Sequence, residues 1–385
     1  MTKVLLSAIS ARHGGGLTYL RHIVAAFPEQ SGSQLAILSA EPPALAQGRS
    51  DIAWIKAPSW TVNPIARFLF GSIYFRYLWP LRHQFDVVYY AGGSRDLPLP
   101  PATATAVAFR NMLPFDLENR RKFPLGWNRL RYWLLERLQS GTFARADLVV
   151  FISNFARKVI DTRVPNRRGK SIVIPHGVTE ESAPLDSKLA AMLPERFVLY
   201  LSILNMYKAQ VELVAAWAAL RAQRDTPEKL VLAGPHYGPY LAKVREEIAR
   251  HGLEQEVILL GSVPHAQVFD LYRRAVLNVF MSTCENCPNI MLEIMRSGSA
   301  VICSNHQPMP ELGGPQLTYV DPYDVPAVTA ALKTYLDDAA LREAKGQAAR
   351  QQSLIYDWGH TGEVTWNAII DLGRAKASRP RDALT

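Results

Sequence analysis

The sequence predicts an α/β protein made of two similar halves, each a parallel β-sheet covered by helices. Short β-branched runs alternate with helix-spaced apolar runs from one end of the chain to the other. The 385 residues suit two domains of ordinary size, and a hydrophobic content of 48% supplies a core for each. A polar, proline-bearing stretch at 178–194 separates the two series of strands and reads as an interdomain linker. There is no internal repeat and no low-complexity tract.

In the first half, strands are expected at 4–9, 35–39, 87–90, 105–109, 148–152 and 171–174. The first of these has the apolar look of a signal segment, but it lacks a small-residue cleavage site and runs into Arg12-His13-Gly14-Gly15-Gly16. It is therefore read as a strand. The second half restarts with strands at 197–201, 229–233, 257–260, 277–281 and 300–303. A last helix is expected at 361–372, after Tyr356-Asp357-Trp358. The domains are thus placed at 1–180 and 195–358, with the C-terminal segment 361–385 returning to the first; composition leaves disorder to be expected nowhere but in the tail 378–385, of which all but the first residue lies outside the described residues.

The formal net charge is +9, and the three cysteines, Cys284, Cys287 and Cys303, are too few and odd in number for a disulfide framework. A reducing, cytoplasmic location is the natural expectation. No stretch approaches the roughly 20 apolar residues that span a bilayer; the best, 68–79, is short and contains Arg76. Basic residues mix with large aromatics at 60–83 and again at 120–137. Within the second stretch, 127–138 reads as a helix with two alternatives: it lies on an anionic membrane surface, or it turns Trp and Leu to the core and its arginines to water. Nucleic acid ranks below both, because no RNP, zinc-finger or helix-turn-helix signature is present.

The most informative motif is Glu285-Asn286-Cys287-Pro288-Asn289-Ile290-Met291-Leu292-Glu293, two carboxylates eight positions apart. The run 276–281 before it suits a buried strand, Pro288 suits a first helical turn, and Gly298 suits a helix stop. Glu285 then lies in the loop and Glu293 on the second helical turn, so that the two grip opposite ends of an extended ligand faced by backbone N–H groups between them. The glycine run ending in Gly15 and Gly16 opens another helix, where amides approach a phosphate or sugar oxygen. Val107-Ala108-Phe109-Arg110-Asn111 brings polar groups to a strand's carboxyl edge, where open α/β sheets bind ligands. Ser153 suits a helix cap, and His176 in Ile174-Pro175-His176-Gly177 sits at another strand end. A rival claim is metal: Cys284-x2-Cys287 followed by Cys303-x2-His306 has the spacing of a zinc site, although such a site would occupy the same pocket.

The paired glutamates resemble the E-x7-E motif of retaining glycosyltransferases of the GT-B fold, most like family 4, and the resemblance extends over nearly the whole chain. It implies two Rossmann-like domains, acceptor-binding first and nucleotide-sugar-binding second, with the final helix crossing back to the first. By the same resemblance Glu285 contacts the donor sugar, Glu293 holds the ribose, and Lys208 neutralises the leaving diphosphate. Asn286, Asn289, Ile290, Ser202 and Gly234 complete the implied donor set. His13, Gly15, Gly16 and His176 line the acceptor and diphosphate side, and Asn111 stands where many relatives have a histidine. An amide orients a hydroxyl but takes no proton at pH 7. That suits a front-face mechanism in which the leaving phosphate oxygen accepts the acceptor's proton. Two departures stand out: Asn286, Cys287 and Pro288 replace the usual glycines, and Ile203 occupies the position of a common arginine. The implied activity is metal-independent and cofactor-free transfer from a nucleoside-diphosphate sugar to a glycan acceptor, lipid-linked and destined for bacterial surface polysaccharide. This places the protein in the cytoplasm or on the inner face of the membrane, with no nucleic-acid partner. The alternatives are a sugar-nucleotide epimerase and a non-catalytic glycan-binding subunit.

Overall fold

The computed structural model describes residues 1–9, 15–29, 31–40, 49–181, 183–236 and 238–378. The chain divides into two compact units. The first comprises Met1–Phe115, Leu130–Gly177 and Asp357–Thr385, and the second Asp116–Arg129 and Val178–Tyr356.

Among the described residues, the first unit is built on a seven-stranded parallel sheet. Its strands are β1 (Lys3–Ser7), β2 (Gln34–Ser39), β3 (Ile52–Lys56), β4 (Val87–Tyr90), β5 (Ala104–Phe109), β6 (Leu148–Phe151) and β7 (Lys170–Val173), in the order β3-β2-β1-β4-β5-β6-β7. Helices α1 (Gly15–Ala25) and α2 (Pro64–Ile73) precede β4 in sequence. Next comes α3 (Leu117–Lys122), which belongs to the second unit. Helices α4 (Trp127–Arg145) and α5 (Asn154–Arg163) flank β6 in the chain. Ser153 caps α5 by accepting from the Ala156 N–H at 3.1 Å, as its sequence position predicts.

The second unit carries a six-stranded parallel sheet of order β10-β9-β8-β11-β12-β13. Its strands are β8 (Phe197–Leu201), β9 (Lys229–Ala233), β10 (Val257–Gly261), β11 (Leu277–Phe280), β12 (Val301–Ser304) and β13 (Thr318–Val320). The helices are α6 (Ser187–Met192), α7 (Gln210–Gln223), α8 (Tyr240–Arg250), α9 (Val268–Arg274), α10 (Asn289–Ser297), α11 (Met309–Gly313), α12 (Val325–Asp337) and α13 (Ala339–Ser353). Strands such as β8 and β11 are buried on both faces, which is why they read as unbroken apolar runs.

The last helix, α14 (Trp358–Ala377), packs on the first unit and is longer at both ends than the sequence suggests. Asp357 caps it by accepting from the His360 N–H at 2.8 Å, a signal one turn ahead of the expected start. Trp366 is wholly buried, and its indole donates to the Ile23 carbonyl at 2.7 Å.

Three expectations need correction. The stretch 178–194 is not a linker: it lies in the second unit, contains α6, and puts Val178, Leu185 and Leu189 into that unit's core. Segment 116–129 belongs to the second unit although it sits deep in the first half of the sequence. The sheets also contain β3 and β13, which lack a strand signal in sequence because β3 exposes much of its length and β13 has only three residues.

Candidate active site

In the second sheet the strand order reverses between β8 and β11, and successive connections leave a crevice outside their carboxyl ends. The loops after these two strands supply the centre of the site. After β8, Asn205 accepts from the Met206 N–H at 2.8 Å and opens a single 3-10 turn, Met206–Lys208. Ala209 then takes a left-handed φ of 51°, rare for a residue with a Cβ, before α7 begins. The Lys208 carbonyl is fixed by the Tyr200 hydroxyl at 2.8 Å. Its side chain is 7% exposed, and the ammonium donates to Glu285 Oε1. The same ammonium lies 5.2 Å from the Tyr207 ring centre and 5.4 Å from that of Phe280. A buried cation and a carboxylate are therefore joined at the switch point.

Glu285 lies in the loop after β11, as the sequence predicts, and Glu293 on the second turn of α10. Glu293 has different partners: Tyr272 donates to its Oε2 at 3.2 Å, and His265 Nε2 lies 3.4 Å from Oε1. Pro288 is the residue before α10 and gives its first turn no side-chain cap, so the helix proper opens at Asn289 and Ile290. Gly298 closes it at φ 81°, as expected. Asn286 is buried between the two glutamates, and Asn289 and Ile290 are half-buried.

Ser202 and Gly234 meet at the ends of β8 and β9. The Ser202 N–H donates to the Ala233 carbonyl at 2.8 Å, and a Cβ on Gly234 would stand 2.2 Å from the Ser202 carbonyl oxygen. Gly234 also has φ 131°, a conformation that L side chains rarely adopt. Gly234→Ala is expected to destabilise the second unit by about 2–4 kcal/mol through clash and strain combined, as read from urea denaturation. A shift below half a kilocalorie would mean that this turn relaxes freely.

The sequence gives no hint that α3 braces this loop. Asp116 caps α3 by accepting from the Asn119 N–H at 2.9 Å. Buried Asn119 then bonds twice to Thr283, donating to its carbonyl at 3.2 Å and accepting from its hydroxyl at 2.8 Å. Thr283 also donates its N–H to the Tyr207 carbonyl at 2.8 Å, so one residue ties together the loops that carry Lys208 and Glu285. The cap pattern announces a helix, but nothing local says which unit the helix joins. Asn119→Ala leaves the buried Thr283 carbonyl without its donor, while the Thr283 hydroxyl keeps the Tyr207 carbonyl at 3.2 Å and the Tyr323 hydroxyl at 3.4 Å; turnover is expected to fall about tenfold, and an unchanged value would make α3 a bystander.

The remaining candidates lie in the first unit. Asn111 is exposed after β5, where its Oδ1 accepts from the Leu113 N–H at 3.3 Å. His176 is buried, 5.3 Å from the Trp358 ring and 5.3 Å from the Tyr19 ring. Gly15 and Gly16 form the first turn of α1, while His13 lies outside the described residues.

The four cysteine and histidine positions with zinc-like spacing do not assemble. Among the described residues, no three His, Cys, Asp or Glu side chains gather as metal ligands. Burial pushes the Cys303 thiol up, and burial together with Asp116 pushes up that of Cys284. Raised thiols stay neutral in the fold. Their contribution to stability is complete below the pKa of a free thiol and is lost as pH climbs above it towards the folded value. At neutral pH, iodoacetamide should label Cys284 and Cys303 far more slowly in the folded protein than in urea; equal rates would contradict this placement.

The model of the glycosyl transferases group 1 family matches residues 184–352, nearly the whole span of the second unit. The second unit is a group 1 glycosyltransferase domain. Among curated relatives, the serotype-specific mannosyltransferase WbdA of Escherichia coli is 26% identical over 289 residues, covering 72% of this chain and 34% of that protein. The chain thus spans about a third of that relative's length. The O-antigen chain mannosyltransferase B of E. coli is 27% identical over 252 residues, covering 63% of this chain and 64% of its own. Among solved structures, sucrose-phosphate synthase from Thermosynechococcus elongatus superposes with a TM-score of 0.74 at 17% identity, over 97% of this chain and 100% of that one. Anabaena HepE, solved with UDP and glucose, gives 0.70 at 16% identity over 96% and 100%. The fold is GT-B. The group 1 domain holds Lys208, Glu285, Glu293, Ser202 and Gly234, and also Asn119, which lies outside the matched span.

Proposed function

We propose that this protein is a retaining glycosyltransferase that moves a hexosyl group from a nucleoside-diphosphate sugar to a lipid-linked glycan acceptor in bacterial surface polysaccharide synthesis. The observation that carries this reading is the pairing of buried Lys208 with half-buried Glu285 at the switch point of the group 1 domain. An ammonium held in a low-dielectric setting stabilises charge that develops on a leaving diphosphate. In the donor complex the β-phosphate becomes the partner of the Lys208 ammonium, and Glu285 accepts hydrogen bonds from the sugar hydroxyls. Glu293, steadied by Tyr272 and His265, accepts hydrogen bonds from the ribose. In a front-face transfer the leaving phosphate oxygen receives the acceptor's proton on the face that it vacates, so that no separate side-chain base is needed. Neither a metal nor a cofactor enters this scheme. The mannosyltransferase relatives make GDP-mannose the first donor to try.

The test is release of nucleoside diphosphate from GDP-, UDP- and dTDP-sugars, with bacterial lipid extract as acceptor source and EDTA present, followed by NMR of the product's anomeric centre. Release with retained configuration supports the reading. An inverted product, or turnover that only added metal restores, overturns the corresponding part of it, and sugar nucleotide altered without any acceptor indicates an epimerase.

A further inference from the structure

Helix α2 and the π-helical turn that continues it, Tyr74–Leu78, put apolar side chains where a surface helix normally carries polar ones. Gly71, Phe75 and Trp79 form the buried stripe, and Phe75 packs edge-on against both Tyr74 and Trp79. The outward side presents Ile65, Phe68, Leu69, Ile73, Tyr77 and Leu78, each between 57 and 68% exposed. This face is preformed, since Asn63 caps the helix by accepting from the Ile65 and Ala66 N–H groups. A contiguous apolar face of this kind marks an interaction surface.

Charge says what covers it. No acidic residue occurs between Asp51 and Asp86. Arg76 lies over the Tyr77 ring at 5.5 Å, and Arg82 donates to the Tyr77 and Trp79 carbonyls, so both cations border the apolar face. Two copies of the chain meeting through this face would bring these arginines against themselves with no local acid to answer them. An anionic lipid surface answers both features, because acyl chains accept the apolar side chains and phosphates accept the cations. No described helix is long and apolar enough to cross a membrane.

We propose that the outward face of α2 and its π-helical continuation seats the protein on the surface of an anionic bilayer, lying in the interface rather than spanning it. The proposal does not depend on which sugar the group 1 domain transfers.

The experiment is flotation of the full chain with phosphatidylcholine vesicles and with vesicles rich in phosphatidylglycerol, at low and high salt. Binding to the anionic vesicles, weakened by salt and reduced about tenfold or more in the exposed-site double variant Phe68→Glu/Leu69→Glu, is the expected result. Arg76→Ser/Arg82→Ser should reduce anionic binding while leaving the fold unchanged by circular dichroism. Absence of flotation, or equal flotation of the Phe68→Glu/Leu69→Glu variant, would overturn the proposal. So would a concentration-dependent dimer in sedimentation that the same variant dissolves, which would assign the face to a second copy. A protein that floats as expected but transfers no sugar would sink only the reading of the active site.

Discussion

Lys208→Ala is expected to lower kcat by about 10²–10³ with a much smaller change in KM. The lysine sits in a single 3-10 turn whose backbone is tied by Asn205, Tyr200 and Thr283, so its ammonium is placed before any ligand arrives. Placement in advance is what gives a fixed charge its value in the transition state. Lys208→Arg is not a conservative rescue, because a planar guanidinium cannot share the space between Glu285 and the rings of Tyr207 and Phe280 as a compact ammonium does. Ile203 adds weight to the single lysine: its carbonyl accepts from Gln210 Nε2 at 3.1 Å, and its aliphatic side chain brings no second cation. Glu285→Ala should abolish transfer as well, and it leaves a buried ammonium unpaired at a cost of about 3 kcal/mol. Glu285→Gln keeps an acceptor for Lys208 and separates the catalytic loss from the folding loss. Steady-state kinetics with thermal melts of all four variants decide the matter. A Lys208→Ala protein that melts normally and turns over at the wild-type rate would remove the lysine from the chemistry.

Trp366→Ala is expected to destabilise the first unit by about 3–5 kcal/mol. The indole is wholly buried, meets Phe27 edge-on at 5.1 Å, and donates to the Ile23 carbonyl at 2.7 Å. Alanine would open a large cavity and strand that carbonyl between α1 and α14. Trp366→Phe should cost less, since most of the packing survives and one hydrogen bond is lost. Urea denaturation followed by far-ultraviolet circular dichroism measures both. If the two variants unfolded together at the wild-type midpoint, α14 would not be part of the cooperative core of this unit.

Much of the architecture was legible because the physics is local. Parallel strands buried on both faces must be apolar along their length, so β1, β5, β8 and β11 stand out in sequence. The loop position of Glu285, the helical position of Glu293 and the stop at Gly298 follow from the same kind of signal, as does the cap at Ser153. Short or half-exposed strands such as β13 and β3 carry too little of that signal to be seen.

Tertiary contacts decided the rest. Whether 178–194 spans a gap or packs into a core depends on where Leu185 and Leu189 find neighbours, and polarity along the chain does not report that. The membership of α3 in the second unit rests on Asn119 meeting Thr283, 164 positions away in sequence. The pairing of Lys208 with Glu285 spans 77 positions and exists only because β8 and β11 lie side by side. On α4, Trp133 and Leu134 face water while Tyr132, Gln139 and Phe143 are buried, contrary to the core-facing alternative for its Trp and Leu residues. Residue type and spacing thus determined the two parallel sheets and the chemical groups at their strand ends. Which of those groups touch was decided by strand order and long-range packing, because contact energies act between neighbours in space, however far apart they lie along the chain.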